Sequence, residues 1–224
     1  MAVDFIFMLT RDDMTVENCL EVFEEAAPIG LAHVGFKDVG VSLQTLRKLN
    51  QAIQATGATS YLEVVSTSPE ACLRSAAKAL EIGVDCVLGG SDVEAMLAAL
   101  KGGKATYMPF VGRTIGHPTR LGGAPEDIAE AAKRAMALGC AGVDLLAYRA
   151  TEAEPLDLIR AARAAMPKGQ LVVAGSIDSA ERVDAVAQAG ADAFTVGTAV
   201  FDRIFAPSDR TLAGQLKAIR AACA

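Results

Sequence analysis

Eight apolar segments of strand length alternate with segments of helical pattern along this chain of 224 residues. This alternation constrains the fold more than any other feature of the sequence. Strands that alternate with helices predict crossover connections and a parallel sheet, and eight such units predict closure into a barrel. We therefore predict an α/β fold, a single-domain (β/α)8 TIM barrel that spans residues 1–224.

Glycines and the apolar pattern set the expected bounds of these segments. Gly83, Gly139 and Gly190 each stand between a helix and the next strand, where glycine ends a helix in the left-handed conformation. Asp85 and Asp192 follow two of these glycines and are expected at the N-terminal, stabilising end of the barrel. The predicted strands are Val3–Leu9, Leu31–Lys37, Ser60–Val65, Asp85–Leu88, Ala105–Phe110, Gly142–Tyr148, Leu171–Ala174 and Ala193–Val196. The predicted helices are Val16–Glu25, Leu43–Ala55, Pro69–Ile82, Asp92–Leu100, Pro125–Leu138, Pro155–Met166, Ser179–Gln188 and Thr211–Ala222.

Composition excludes several classes of protein. A net charge of −6 gives no reason to expect a nucleic acid or an anionic membrane as a partner. The five cysteines are scattered without C-x-x-C spacing, so neither a disulfide framework nor a zinc site is predicted. The sequence has no apolar run of about 20 residues and no N-terminal targeting pattern, so we expect a cytoplasmic protein. Alanine-rich helices such as 129–138 would suit close packing between two copies, which keeps a homodimer among the expectations.

Two strands late in the chain end in short glycine-containing turns, and each turn opens a helix. The turns are Ala174-Gly-Ser-Ile177 and Val196-Gly-Thr-Ala199. A helix N-terminus presents free backbone N–H groups and a partial positive charge, which suits a phosphate. The alternative is that these are ordinary tight turns that need small residues. The residues predicted to bind the phosphate are Gly175, Ser176, Gly197 and Thr198.

This C-terminal pattern resembles the ribulose-phosphate-binding barrels, such as the isomerase and cyclase barrels of histidine biosynthesis. In those families the seventh strand ends in a Gly-Gly-Ile or Gly-Ser-Ile turn, and the eighth ends in a Val-Gly-x-Ala turn. The similarity covers roughly residues 171–201, and it implies that backbone N–H groups of the two turns hold a substrate phosphate. The same arrangement holds the phosphate of flavin mononucleotide in other barrels.

The resemblance supplies no catalytic mechanism. The strand ends lack a convincing set of His, Asp and Glu for a divalent metal, unlike the metal-dependent epimerases of the superfamily. The Asp-x-Lys-x-x-Asp strand motif of the barrel decarboxylases is absent, as are the lysines that Schiff-base aldolases carry on strands six and seven. No metal and no cofactor are therefore predicted, apart from flavin mononucleotide in the alternative below.

Ionisable residues at the strand ends are the candidates for catalysis, because chemistry in such barrels occurs at the C-terminal ends of the strands. Alternation on the second strand turns Val34 and Phe36 outward and Lys37 toward the barrel axis. In an apolar interior the ammonium form would be disfavoured, which suits a Schiff-base nucleophile or a proton carrier. Glu63 on the next strand is expected to point inward as its partner, for acid/base work or as a structural ion pair.

Further candidates lie on the second half of the chain. Asp144 faces the interior if its strand is aligned on Gly139, but lies at the stabilising end if it is aligned on Gly142. Arg149, just past this strand, is expected to contact an anion. The long segment after the fifth strand carries Arg113 and His117, and it predicts a lid over an anionic substrate or else a surface loop.

We therefore expect an enzyme that isomerises a phosphorylated sugar or sugar-derived acid, or cleaves it in an aldol-type reaction. The expected catalytic residues are Lys37, Glu63, Asp144 and His117, with Arg113 and Arg149 added to the phosphate site. Two alternatives stay open at this point. One is an oxidoreductase barrel that binds flavin mononucleotide, and the other is a binding protein for a phosphorylated metabolite without catalysis.

Overall fold

Eight parallel strands, numbered β1 to β8, form a closed barrel in the computed structural model, which describes residues 2–66, 68–116 and 119–224. Hydrogen bonding joins them in the order β6-β7-β8-β1-β2-β3-β4-β5. Phe110, two residues after β5, forms a parallel bridge with Asp144 on β6 and so joins the two ends of this order, which confirms the predicted TIM barrel. The strands are β1 Asp4–Met8, β2 His33–Lys37, β3 Thr59–Val64, β4 Cys86–Gly89, β5 Thr106–Met108, β6 Gly142–Leu145, β7 Gln170–Val173 and β8 Ala193–Val196.

Helices follow the strands and surround the barrel. They are α1 Cys19–Ala26, α2 Leu43–Ala55, α3 Pro69–Ile82, α4 Val93–Leu100, α5 Pro125–Ala137, α6 Pro155–Ala165, α7 Ala180–Ala189, α8 Thr198–Phe201 and α9 Leu212–Ala222. Most predicted helices agree with these bounds within a few residues. The sixth strand is shorter than predicted because the chain turns into a 3-10 helix at Ala147–Arg149.

Side chains alternate between two apolar layers. Val34 and Phe36 on β2 point outward and pack with the residues under the helices, as predicted. Ile6 and Met8 on β1 belong to the separate cluster that fills the barrel interior. Gly35 faces the same interior, where an added Cβ would lie 2.3 Å from the sulfur of Met8. A side chain here would displace the end of the Met8 side chain, and alternation directs Lys37, two residues further on, to the same interior.

Polar groups at the N-terminal end of the barrel serve the fold. Asp85 accepts hydrogen bonds from the N–H and the hydroxyl of Ser60, at 2.9 and 2.8 Å. Asp192 accepts one from the N–H of Leu171 at 2.7 Å. These contacts tie neighbouring strands together at the end that was predicted to be stabilising. No helix in the described ranges is long and apolar enough to cross a membrane.

Candidate functional site

A cavity of about 310 Å³ opens at the C-terminal end of the barrel. Lys37 and Glu63 line it at the ends of β2 and β3, and both glycine turns line it at the ends of β7 and β8. The cavity therefore brings together the ionisable strand ends and the two turns that the sequence singles out.

Lys37 lies in this cavity between two carboxylates and is only 4% exposed. Its Nζ donates a hydrogen bond to Oδ1 of Asp13 at 2.7 Å and lies 3.6 Å from Oε2 of Glu63. The sequence predicts apolar surroundings for Lys37, but two carboxylates lie beside its nitrogen instead.

Asp13 is not among the site residues predicted from the sequence. It lies in a hairpin just before the first helix, in which Thr10–Arg11 pairs with Met14–Thr15. Asp12 and Asp13 form its two-residue turn with φ of 51° and 59°, the left-handed pattern of a tight hairpin. Two consecutive aspartates, which tolerate positive φ, were the available signal.

The hairpin fixes Asp13 beside Lys37. Thr15 donates from its hydroxyl to the carbonyl of Lys37 at 2.7 Å and accepts from the N–H of Lys37 at 2.9 Å. Burial alone would raise the pKa of Asp13, but the charges and hydrogen bonds of Lys37 and Arg149 lower it to about 2. Asp13 is therefore a permanent negative charge in this cavity over the physiological range of pH.

Arg149 connects this cluster of charges to the first glycine turn. Its guanidinium contacts Asp13 at 3.3 and 3.4 Å and the carbonyl of Thr119 at 3.4 Å. Its Nε lies 2.6 Å from where a Cβ of Gly175 would be. All three hydrogen bonds are long, so this cation is held loosely beside the turn.

The glycine turns present backbone donors to the cavity. Gly175 and Ser176 both have positive φ, of 83° and 59°. The carbonyl of Ser176 accepts a hydrogen bond from Arg182, whose guanidinium lies 4.9 Å from the ring centre of Tyr148. Across residues 2–66, 68–116 and 119–224, no acceptor is found for the four N–H groups of the predicted phosphate site. Those N–H groups belong to Gly175, Ser176, Gly197 and Thr198.

Asp144 lies inside the barrel on β6, and this position decides between its two alignments. Its carboxyl is fully buried, and neither oxygen has a hydrogen-bond partner among the described residues. Burial raises the pKa of Asp144 well above its ordinary value, and repulsion from Glu63 raises it further. The charges of Lys37 and Arg149 act in the opposite direction.

The predicted lid segment is a short antiparallel ribbon, Arg113–Ile115 paired with Arg120–Gly122. Arg113 does not line the cavity, because its exposed guanidinium pairs with Glu152 at 2.6 Å on the outer side. His117 lies outside the described residues. The structure therefore places Arg113 away from the cavity.

No cluster of three or more His, Cys, Asp or Glu side chains in the described ranges has the geometry to hold a metal ion. The carboxylates of Asp13 and Glu63 are each paired with Lys37. The ionisable groups at the cavity therefore balance one another without an ion.

Comparisons with known proteins bear on the fold. No family model matches the chain, and no curated protein matches it. A crystal structure described as orotidine 5'-phosphate decarboxylase from Pyrococcus horikoshii OT3 matches with a TM-score of 0.68 and 15% identity, over 98% of both chains. Altogether 873 chains of known structure match, so the likeness identifies a common fold and no activity. The implied kinship with the histidine-biosynthesis barrels is not confirmed, whereas the barrel itself is: the chain has the (β/α)8 architecture that this decarboxylase also has.

Proposed function

We propose that this chain is an enzyme that binds a phosphorylated sugar or sugar-derived acid and transfers a proton at a carbon beside a carbonyl. Isomerisation and carbon–carbon cleavage both require such a step. The observation that carries the proposal is that Lys37, paired with two carboxylates, lines the same cavity as two turns whose N–H groups find no acceptor among the described residues.

The phosphate end of the substrate would lie on the two glycine turns. Gly175–Ser176 and Gly197–Thr198 supply N–H donors, and Arg149 adds a cation against the first turn. Backbone donors and a guanidinium are the usual ligands of a phosphate group. The long hydrogen bonds of Arg149 leave its guanidinium free to reorient toward a phosphate at small cost.

The reacting end would lie against the charged cluster. The carboxylates of Asp13 and Glu63 accept hydrogen bonds from sugar hydroxyls, and Glu63 is suited to remove a proton from carbon. The ammonium of Lys37 stabilises the negative charge that then develops on oxygen or carbon and donates a proton. Because this ammonium is already paired, the arrangement favours acid/base chemistry over formation of an imine.

The solved neighbour is described as a decarboxylase of orotidine 5'-phosphate, and its name therefore also refers to a phosphorylated compound. At 15% identity this supports the proposal only by analogy of fold.

A thermal-shift screen tests the phosphate site. The panel contains inorganic phosphate, phosphorylated sugars, phosphorylated sugar acids and flavin mononucleotide. A ligand at a hundredfold its Kd should stabilise the protein by about 2.7 kcal/mol. Arg149→Gln should weaken the shift, whereas Arg113→Gln, which changes a cation outside the cavity, is the matched control and should leave it unchanged. No shift with any phosphorylated compound would refute the site.

Proton exchange tests the chemistry. The stabilising compound is incubated with protein in D2O, and deuterium incorporation at carbon is followed by NMR. We expect incorporation or turnover with the wild type and its loss in Lys37→Met. Binding without either would identify a binding protein, and a shift confined to flavin mononucleotide would favour the oxidoreductase alternative. If borohydride trapped an adduct on Lys37, the reaction would proceed through an imine and the proposed acid/base mechanism would be wrong.

A further inference from the structure

Two threonine hydroxyls face the cavity without a partner, and the proposed chemistry does not use them. Thr10 and Thr195 both line the cavity, and each is only 6% exposed. Other threonine hydroxyls, such as those of Thr15 and Thr106, donate to backbone carbonyls, but these two make no hydrogen bond with any described residue. Their oxygens are not sealed inside the protein, as the unpartnered carboxyl of Asp144 is, so a molecule in the cavity can reach them.

The packing of the barrel gives no reason for a hydroxyl at Thr195. Ala193, the preceding inward residue of β8, and Ile6 and Met8 on the neighbouring β1 all belong to the apolar cluster of the barrel interior. Valine has nearly the same shape and is also favoured in strands. A buried hydroxyl without a partner destabilises a protein relative to an apolar group. The hydroxyl of Thr195 is therefore a feature of the cavity and not of the core.

The two hydroxyls lie between the second glycine turn and the charged cluster. Thr195 is two residues before Gly197 on β8, and Oγ1 of Thr10 lies 2.9 Å from where a Cβ of Gly197 would be. On its other side Thr10 pairs with Thr15, whose hydroxyl is bonded to the backbone of Lys37. A molecule with a phosphate on the turn and a reacting carbon at Lys37 therefore passes these hydroxyls with the atoms in between.

The chemistry of the hydroxyls indicates what those atoms are. The charged side chains nearby are already paired: Lys37 lies between Asp13 and Glu63, and Asp178, after the first turn, is 3.0 Å from Arg182. A threonine hydroxyl carries no charge and can both donate and accept a hydrogen bond. Its natural partner in the middle of the cavity is another hydroxyl, which has the same two capacities.

We infer that Thr10 and Thr195 bind hydroxyl groups on the carbons between the phosphate ester and the reacting carbon. The inference rests on the proposed function, because it needs the phosphate on the glycine turns. It narrows the substrate class to sugar or sugar-acid phosphates that carry these hydroxyls and excludes their deoxy counterparts. Removal of either threonine hydroxyl should weaken the binding of a hydroxylated ligand between about twofold and tenfold, the usual contribution of one neutral hydrogen bond.

Titrations with three probes test this assignment. Inorganic phosphate occupies the turns alone, while glycerol 3-phosphate and propyl phosphate have the same carbon chain with and without hydroxyls. We expect the wild type to bind glycerol 3-phosphate more tightly than propyl phosphate. Thr10→Val and Thr195→Val should each reduce that preference between about twofold and tenfold and leave the Kd of inorganic phosphate unchanged. Thr106→Val, which removes a hydroxyl at the opposite end of the barrel, is the matched control and should keep the full preference.

Thermal unfolding of the ligand-free variants gives a reading that needs no ligand. Because the Thr195 hydroxyl has no partner among the described residues, Thr195→Val should have a Tm equal to or above that of the wild type. A lower Tm would show that the hydroxyl is bonded within the fold, and it would overturn the inference whatever the probes bind.

The probes separate failure of the inference from failure of the proposed function. If inorganic phosphate binds and both valine variants keep the full preference for glycerol 3-phosphate, the inference is wrong while the phosphate site stands. An equal loss of affinity for all three probes would show that the hydroxyls bind the phosphate itself, which also overturns the inference. If inorganic phosphate and both esters fail to bind the wild type, the proposed phosphate site is refuted, and the assignment of the two threonines is refuted with it.

Discussion

Replacing Asp144 by asparagine should make the protein more stable relative to the wild type as pH rises. The side chain is fully buried without a partner, so burial and Glu63 raise the pKa of its carboxyl in the folded protein. In the unfolded chain an aspartate releases its proton near pH 4. A group whose pKa is raised by folding contributes stability below its unfolded pKa and loses it as pH increases toward the folded pKa. The wild type therefore loses about 1.4 kcal/mol per pH unit through this group, and Asp144→Asn does not.

Between pH 5 and pH 7 the advantage of Asp144→Asn should grow by about 3 kcal/mol, if the buried group keeps its proton throughout. The unpaired amide of asparagine costs about 1–3 kcal/mol, but this cost does not change with pH. Urea unfolding of both proteins at pH 5, 6 and 7 measures the difference directly. Asp85→Asn is the control, because it makes the same chemical change at an aspartate that is hydrogen-bonded to Ser60 at the other end of the barrel. A difference between wild type and Asp144→Asn that stays constant from pH 5 to 7 would refute the reasoning.

Three further predictions concern the cavity wall and the floor of the barrel. Gly197→Ala should destabilise the fold by about 1–3 kcal/mol, since its Cβ would lie 2.7 Å from the carbonyl oxygen of Thr10, and a lower Tm would show it. Folding lowers the pKa of Asp13 to about 2, so the wild type should lose about 2 kcal/mol as pH falls from 4 to 2, and Asp13→Asn should lack this loss in acid unfolding. Burial lowers the pKa of His33, so the free energy of unfolding of the wild type should also decrease as pH falls below 6.5. If the free energy of unfolding of His33→Gln decreased with the same slope, this prediction would be wrong.

The barrel and the inward direction of its ionisable residues could be predicted because both follow from alternation. On β2, apolar Val34 and Phe36 identify the helix-facing side, and Lys37 takes the other side by the period of two. Glu63 follows by the same argument on β3, where it is paired in register with Lys37. Such arguments need only local sequence and a count of strands.

The electrostatic surroundings of Lys37 could not be predicted in the same way. Asp13 is 24 residues distant in sequence and reaches Lys37 through a hairpin turn whose two aspartates resemble a helix start. Arg149 reaches the same aspartate from 136 residues away. A periodic pattern specifies which face a side chain takes, but it does not specify which loop folds over that face.

The register of β2 shows that the chemistry of the cavity depends on the packing of the barrel. A slip of one residue would turn Phe36 into the cavity and Lys37 under the helices, where its charge would have no partner. Phe36 is fully buried in the outer layer, and Gly35 leaves room in the inner layer for Met8, so both layers oppose that slip. The two hydrogen bonds between the Thr15 hydroxyl and the backbone of Lys37 hold the hairpin against the end of this strand. The apolar pattern that closes the barrel therefore places Lys37 in the cavity, where the hairpin brings Asp13 to it, and variants that loosen this packing should lose the site before they lose the fold.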